Sequence, residues 1–139
     1  MPVPVRWFIK SAFVWLAAAL IVGVALAAQS VVTLPAFVAL LLPVYFHLFM
    51  FGWVTQLIFG VAYWMFPKYS TESQRGHPAW PVAIYVPLNA GLLLRAFAEP
   101  LQMQGPSRAW AALLVVSALL QMAAGLTFVI HAWSRVKER

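Results

Sequence analysis

The chain contains no cysteine. Disulfides, zinc-thiolate sites, iron-sulfur clusters and attachment of a c-type haem through thioethers are excluded by that absence. Charge is nearly as scarce: charged residues make up 9% of the 139, and only three are acidic. Water-soluble domains carry roughly a quarter charged residues, so the ordinary soluble class is excluded too. Internal repeats, low-complexity tracts and linkers are also missing, and residues 68–78 form the one stretch polar enough to sit in water.

What is there is apolar. Hydrophobic residues reach 64% and the mean hydropathy is +0.87, as expected of an integral membrane protein. The length accommodates about four spans of roughly 20 residues and leaves nothing for a soluble domain of ~100. The formal charge of +6 does not indicate a nucleic-acid partner, because the basic residues flank apolar runs and form no stripe beside polar aromatics. The first run lacks a short core followed by a small-residue cleavage site, so it reads as a retained span and not as a signal peptide.

The hydrophobic runs predict spans over about residues 7–28, 40–66, 79–98 and 108–133. Pro43 fits a first-turn residue or a kink in the second span, Pro87 bends the third, and Glu99-Pro100 stops it. Arg6, Lys10, Lys68, Arg75, Arg135, Lys137 and Arg139 fall on one side; Arg108 and Arg95 fall on the other. That bias predicts an all-α, up-down-up-down bundle of four transmembrane helices with both termini cytoplasmic, in a bacterial-type inner membrane. Trp7, Trp64, Trp80, Trp110 and Trp133 lie near the expected span ends, where interfacial anchors belong.

The second span carries two patterns. At 100° per residue, His47 shares a face with Met50, Phe51, Val54, Ile58, Ala62 and Met65. Gly52, Gln56, Gly60 and Tyr63 lie nearly opposite, the small-residue stripe that lets helix backbones approach. Gln56 reads as a polar tie to another span, with Asn89 and Gln121 as partners at similar depth, or as part of a proton or quinone site. His47 sits on a large apolar face. An imidazole there needs a partner, either a backbone carbonyl near Pro43 or a metal in an apolar pocket, for which haem iron is the natural candidate. Arg95 reaches a similar depth from the third span, and pairs with Glu99 one turn on or receives haem propionates. His131 lies at the far end of the fourth span, most of a bilayer thickness of about 30 Å from His47, and suits a cationic or hydrogen-bonding role at a helix C-terminus. His77 reads as a loop residue.

The order H-L-F-M-F-G-W … G-V-A-Y-W-M-F-P, His47 through Pro67, resembles the second transmembrane helix of the catalytic subunits of haem-copper oxidases and nitric oxide reductases. The R-W-F-I-K-S-A stretch at the start of the first span looks like the first helix of the C-family oxidases and the reductases, so the resemblance covers roughly the first 70 residues. It implies that His47 is an axial ligand of a non-covalent b haem; Arg95, at a similar depth, and Met50 and Phe51, on the His47 face, are the other residues expected around the cofactor. The departures are as informative: catalytic subunits of that kind have about twelve spans, and their remaining metal ligands lie on later helices that have no counterpart here. A complete oxidase or reductase is not expected.

One chain supplies one histidine at that depth. A homodimer about a two-fold axis normal to the membrane would supply the second as the other copy's His47; Met50, Met103 or a histidine of a respiratory-chain partner are the alternatives. The expectation is a small b-type cytochrome-like protein for electron transfer or haem holding. The competing expectation is a cofactor-free accessory subunit that packs against a respiratory complex through Gly52, Gln56 and Gly60. A transporter fits less well, since no inverted repeat is visible.

Overall fold

The computed structural model of the chain describes residues 1–66, 77–133 and 135–136. Lys68, Arg75, Lys137 and Arg139, used above to orient the spans, and Pro67, the last residue of the stretch quoted for the resemblance, lie outside the described residues. Among the described residues all regular structure is helical, in four long helices: α1 (Val3–Ala28), α2 (Ala36–Met65), α3 (Ala79–Gln104) and α4 (Arg108–Trp133). Each is long and apolar enough to cross a membrane. At 1.5 Å per residue, 26 residues extend about 39 Å, more than a hydrocarbon core of about 30 Å.

The helix boundaries follow from local chemistry. α1 begins four residues before the expected start because Pro2 and Pro4 occupy its entry, where backbone N–H groups have no intrahelical partner to lose. It ends at a turn in which Ser30 Oγ donates to the Ala27 carbonyl at 2.7 Å. α2 starts at Ala36 as a 3₁₀ segment (Ala36–Leu41) and becomes α-helical over Leu42–His47, with Pro43 in the first turn of that segment. It then widens into a π-helical stretch, Leu48–Thr55, before returning to α over Gln56–Met65.

Glu99-Pro100 does not stop the third helix. α3 passes through both Pro87 and Pro100 and ends at Gly105, whose backbone is extended. Each proline removes one intrahelical hydrogen bond without forcing an end. The Arg95–Glu99 pair, one turn apart, grips the chain just before Pro100. Glu99 therefore lies within the helix and not at its end.

Packing is organised by close approaches at three glycines. A methyl group on Gly60 would lie 2.8 Å from Phe8 Cβ, and one on Gly52 would lie 2.7 Å from Trp15 Cβ and 2.9 Å from Leu92 Cδ2. Both seat α2 against α1, and Gly52 also meets α3. A methyl group on Gly91 would lie 2.9 Å from the Ser117 carbonyl oxygen, which marks the crossing of α3 and α4. Ala19, Val44, Leu48 and Leu92 form a buried cluster joining α1, α2 and α3. Outside these seams the surface is apolar, with Phe13, Ile21 and Val24 of α1 and Val115, Leu119, Leu126 and Ile130 of α4 exposed, as lipid contact requires.

Candidate functional site

The site is built where the α-helical turn before the π stretch faces the continuation of α3. His47 Nδ1 lies 2.9 Å from the carbonyl oxygen of Pro43, one turn earlier. A carbonyl only accepts, so this contact places the ring hydrogen on Nδ1 and leaves Nε2 with the lone pair. Nε2 has no hydrogen bond among the described residues. Phe51, one turn later, stacks on the imidazole at 5.9 Å between ring centres and 18° between planes.

Glu99 approaches from α3. Its Oε2 stands 3.4 Å from His47 Nδ1, at ion-pair distance if the ring is protonated, and has no hydrogen bond of its own. With the ring neutral, the Nδ1 hydrogen goes to Pro43. The other carboxylate oxygen, Oε1, lies 3.5 Å from Arg95 Nη1. Arg95 Nε donates to Ser117 Oγ at 3.4 Å, Ser117 Oγ donates to the Gly91 carbonyl at 2.6 Å, and Gln121 Nε2 donates to Ser117 Oγ at 3.2 Å. The Ser117 hydroxyl thus uses its one hydrogen and both lone pairs. A polar chain runs from α2 through α3 to α4 within an apolar surround.

His47, Phe51, Arg95, Ala118, Gln121 and Met122 line a groove of about 320 Å³ between α2, α3 and α4. Three of the four residues expected at a cofactor are therefore brought together. Met50 is not among them; it is half exposed and points elsewhere. Met103, near the end of α3, is also half exposed and outside the groove. Met122 and Ser117 had no signal in the sequence, because a methionine and a serine inside an apolar run look alike on every face.

The Gly52-Gln56-Gly60 stripe is occupied by the chain's own α1. Gln56 is fully buried and its Nε2 donates to the Phe8 carbonyl at 3.4 Å, while Oε1 has no hydrogen-bond partner. Asn89 and Gln121, the expected partners, are engaged elsewhere: Asn89 accepts from Trp15 Nε1 at 2.8 Å, and Gln121 donates to Ser117. The reason is geometric. Gln56 faces α1, whereas Gln121 faces the α3 crossing.

His131 sits at the opposite end of α4 and joins a second cluster. Its ring stacks on Tyr63 at 5.3 Å, and its Nε2 lies 3.3 Å from Arg135 Nη1. Guanidinium has no acceptor, so Nε2 receives that bond and the ring is neutral in this arrangement; of the two expected roles, hydrogen bonding is the one realised. Arg135, expected as a flanking surface charge, is only 1% exposed. It donates to the carbonyls of Tyr63 (3.3 Å) and Phe66 (2.7 Å), capping the end of α2 where partial negative charge collects. His77 is exposed and accepts from the Ala79 N–H at 3.2 Å, just ahead of α3.

Among the described residues no three His, Cys, Asp or Glu side chains gather into a set that would hold a bare metal ion, which leaves open a cofactor that needs one protein ligand per face. Comparison with protein families, characterised proteins and solved structures returns no match for this chain.

Proposed function

We propose that this chain is a small membrane b-type cytochrome-like protein that binds haem non-covalently through His47, at an interface between two copies, for electron transfer or haem holding. The observation that carries the reading is the state of His47. Its Nδ1 is fixed by the Pro43 carbonyl, and its lone-pair nitrogen is unspent in a residue that lines a groove. Metal-binding histidines are oriented in this way, with the second nitrogen hydrogen-bonded to a carbonyl or carboxylate.

The other groove residues fit an iron porphyrin. Phe51, Ala118 and Met122 offer apolar and aromatic surface to a macrocycle, and Arg95 is a cation for its carboxylates, though it shares its charge with Glu99. Bound haem supplies one-electron chemistry. The chain's own contribution is to orient the ligand through Pro43, hold the carboxylates with Arg95 and keep water from the ring with Phe51. A groove of about 320 Å³ is at the small end of the ~300–1,000 Å³ typical of ligand pockets, so one chain covers only part of such a group. A second copy completes the cover and brings a second His47.

The reading places the protein in a bacterial-type inner membrane with both termini inside. An up-down arrangement of the helices is supported by the order of the α1–α2 contacts: Phe8 meets Gly60, Trp15 meets Gly52, and Gly23 meets Tyr45. Respiratory-chain proteins are the natural redox partners. With one histidine at the groove, the chain is not a complete oxidase or reductase.

Purification in detergent from haem-replete cells tests this directly. The expected result is a dithionite-reduced Soret and α band with one haem per two chains, lost in His47→Ala and retained in His131→Ala. A colourless preparation, or an unchanged spectrum in His47→Ala, overturns the reading in favour of a cofactor-free accessory subunit. Such a subunit would have to dock through another face, because the Gly52-Gln56-Gly60 stripe is already buried against α1.

A further inference from the structure

α1 and α3 touch only sparingly, and between them lies a crevice of about 330 Å³ lined by Lys10, Ser11, Val14, Trp15, Tyr85, Asn89 and Leu93. Its charge is not balanced. Trp15 Nε1 occupies the Asn89 carbonyl oxygen at 2.8 Å, and Asn89 Nδ2 donates to the Tyr85 backbone carbonyl at 2.9 Å. Ser11 Oγ and the Tyr85 hydroxyl oxygen are 2.6 Å apart and share one hydrogen bond, so one of their two hydrogens remains to donate. Lys10 adds an ammonium with three more, and among the described residues no acidic side chain lines the crevice. The surplus is therefore one of positive charge, with a hydroxyl hydrogen free to donate beside it.

Such a surplus on a lipid-facing surface calls for an acceptor that lives at that depth, because unsatisfied polar groups are costly in lipid. Lys10 stands seven residues beyond the start of α1, about 10 Å along the axis, within reach of the headgroup level for a flexible lysine stem. Arg6, one turn closer to the helix end on the same side of α1, is exposed and adds a second cation. Deeper along the crevice the lining turns apolar at Val14 and Leu93.

We infer that the α1–α3 crevice binds the headgroup of an anionic phospholipid. Lys10 and the spare Ser11/Tyr85 hydroxyl hydrogen hold the phosphate oxygens, and an acyl chain lies against Val14 and Leu93. Net charge supplies the selectivity, since a zwitterionic headgroup brings its own ammonium towards Lys10 and Arg6. The inference stands on residues remote from His47 and does not depend on haem.

Native mass spectrometry of the detergent-purified full chain, with phosphatidylglycerol, phosphatidylcholine or inorganic phosphate added, tests it. Phosphatidylglycerol should be retained in preference to phosphatidylcholine. Lys10→Gln and the double change Ser11→Ala/Tyr85→Phe, which removes both hydroxyls of the pair, should each lower that retention by about tenfold, the loss of one charge-assisted or buried hydrogen bond, while Arg108→Gln leaves it unchanged. Within the double change, Tyr85→Phe keeps the ring that packs on Phe8 at 5.3 Å, so the loss reads the hydroxyls alone. Equal retention of the two lipids, retention unaffected in Lys10→Gln and in Ser11→Ala/Tyr85→Phe, or equally tight capture of inorganic phosphate would each overturn the assignment.

Discussion

Gly91→Ala and Gly125→Ala should move stability in opposite directions, and the pair isolates the α3–α4 crossing that holds the groove wall. A methyl group at Gly91 would meet the Ser117 carbonyl oxygen at 2.9 Å, Gln121 Cγ at 3.0 Å and Leu120 Cβ at 3.2 Å. Ordinary contact begins at 3.4 Å, so the shortest approach falls short by 0.5 Å (3.4 − 2.9). The atom in the way is backbone and cannot swing aside, so the helices must separate. Overpacking of this kind costs about 1–3 kcal/mol, against a gain of about 0.5–1 kcal/mol from replacing a helical glycine. Gly91→Ala should therefore destabilise by about 1–2 kcal/mol.

Gly125 lies on the same helix as Ser117 with nothing within 4 Å of the position a methyl group would take. There only the backbone term remains, and Gly125→Ala should stabilise by about 0.5–1 kcal/mol. Reversible unfolding in mixed micelles, followed by circular dichroism, measures both. Separation of α3 from α4 would also stretch the Ser117 Oγ to Gly91 bond of 2.6 Å and with it the seat of Arg95. If Gly91→Ala were as stable as the parent, or Gly125→Ala equally damaging, the crossing would not be the tight contact described here.

Two further outcomes follow from the interior of α2. Gln56→Leu should be neutral or stabilising by up to about 1 kcal/mol in the same unfolding assay, because it removes a buried acceptor with no partner and forfeits only a long 3.4 Å bond. Deletion of Met50, inside the π-helical stretch, should leave a folded protein of near-parental melting temperature, whereas deletion of Val61 from the following α-helical stretch should prevent accumulation; equal effects would show that the stretch holds no spare residue.

The spans were legible because hydrophobic runs of this length admit few alternatives, and the start of α4 at Arg108 and its end at Trp133 match the expectation. The end of α3 was not. A Glu-Pro pair is a sound stop signal locally, and here the helix continues with the Glu99 carboxylate held between Arg95, one turn earlier on the same helix, and His47 of α2. The same limit hid Arg135. Charge bias assigns a basic residue to a side of the membrane, but it does not reveal that two carbonyls at the end of α2 lie in reach of this one.

The faces of α2 illustrate why the site was half visible. The helical wheel placed Gly52, Gln56 and Gly60 opposite His47, and all three are buried while His47 opens on the groove. Yet the buried positions Val44, Leu48, Gly52, Gln56 and Gly60 recur at a spacing of four. In a helix of 3.6 residues per turn each such step drifts by about 40°, or about 160° over the series, enough to carry one end of the row out of the seam. A π-helical stretch, with its wider i→i+5 turn, absorbs much of that drift between Leu48 and Thr55. It keeps Gly52 and Gly60 on α1 while His47, at its threshold, stays turned towards Arg95 and Glu99. A strict spacing of four was the mark of that turn in the sequence, and its effect is to let one helix serve a packing seam and a polar groove at the same time.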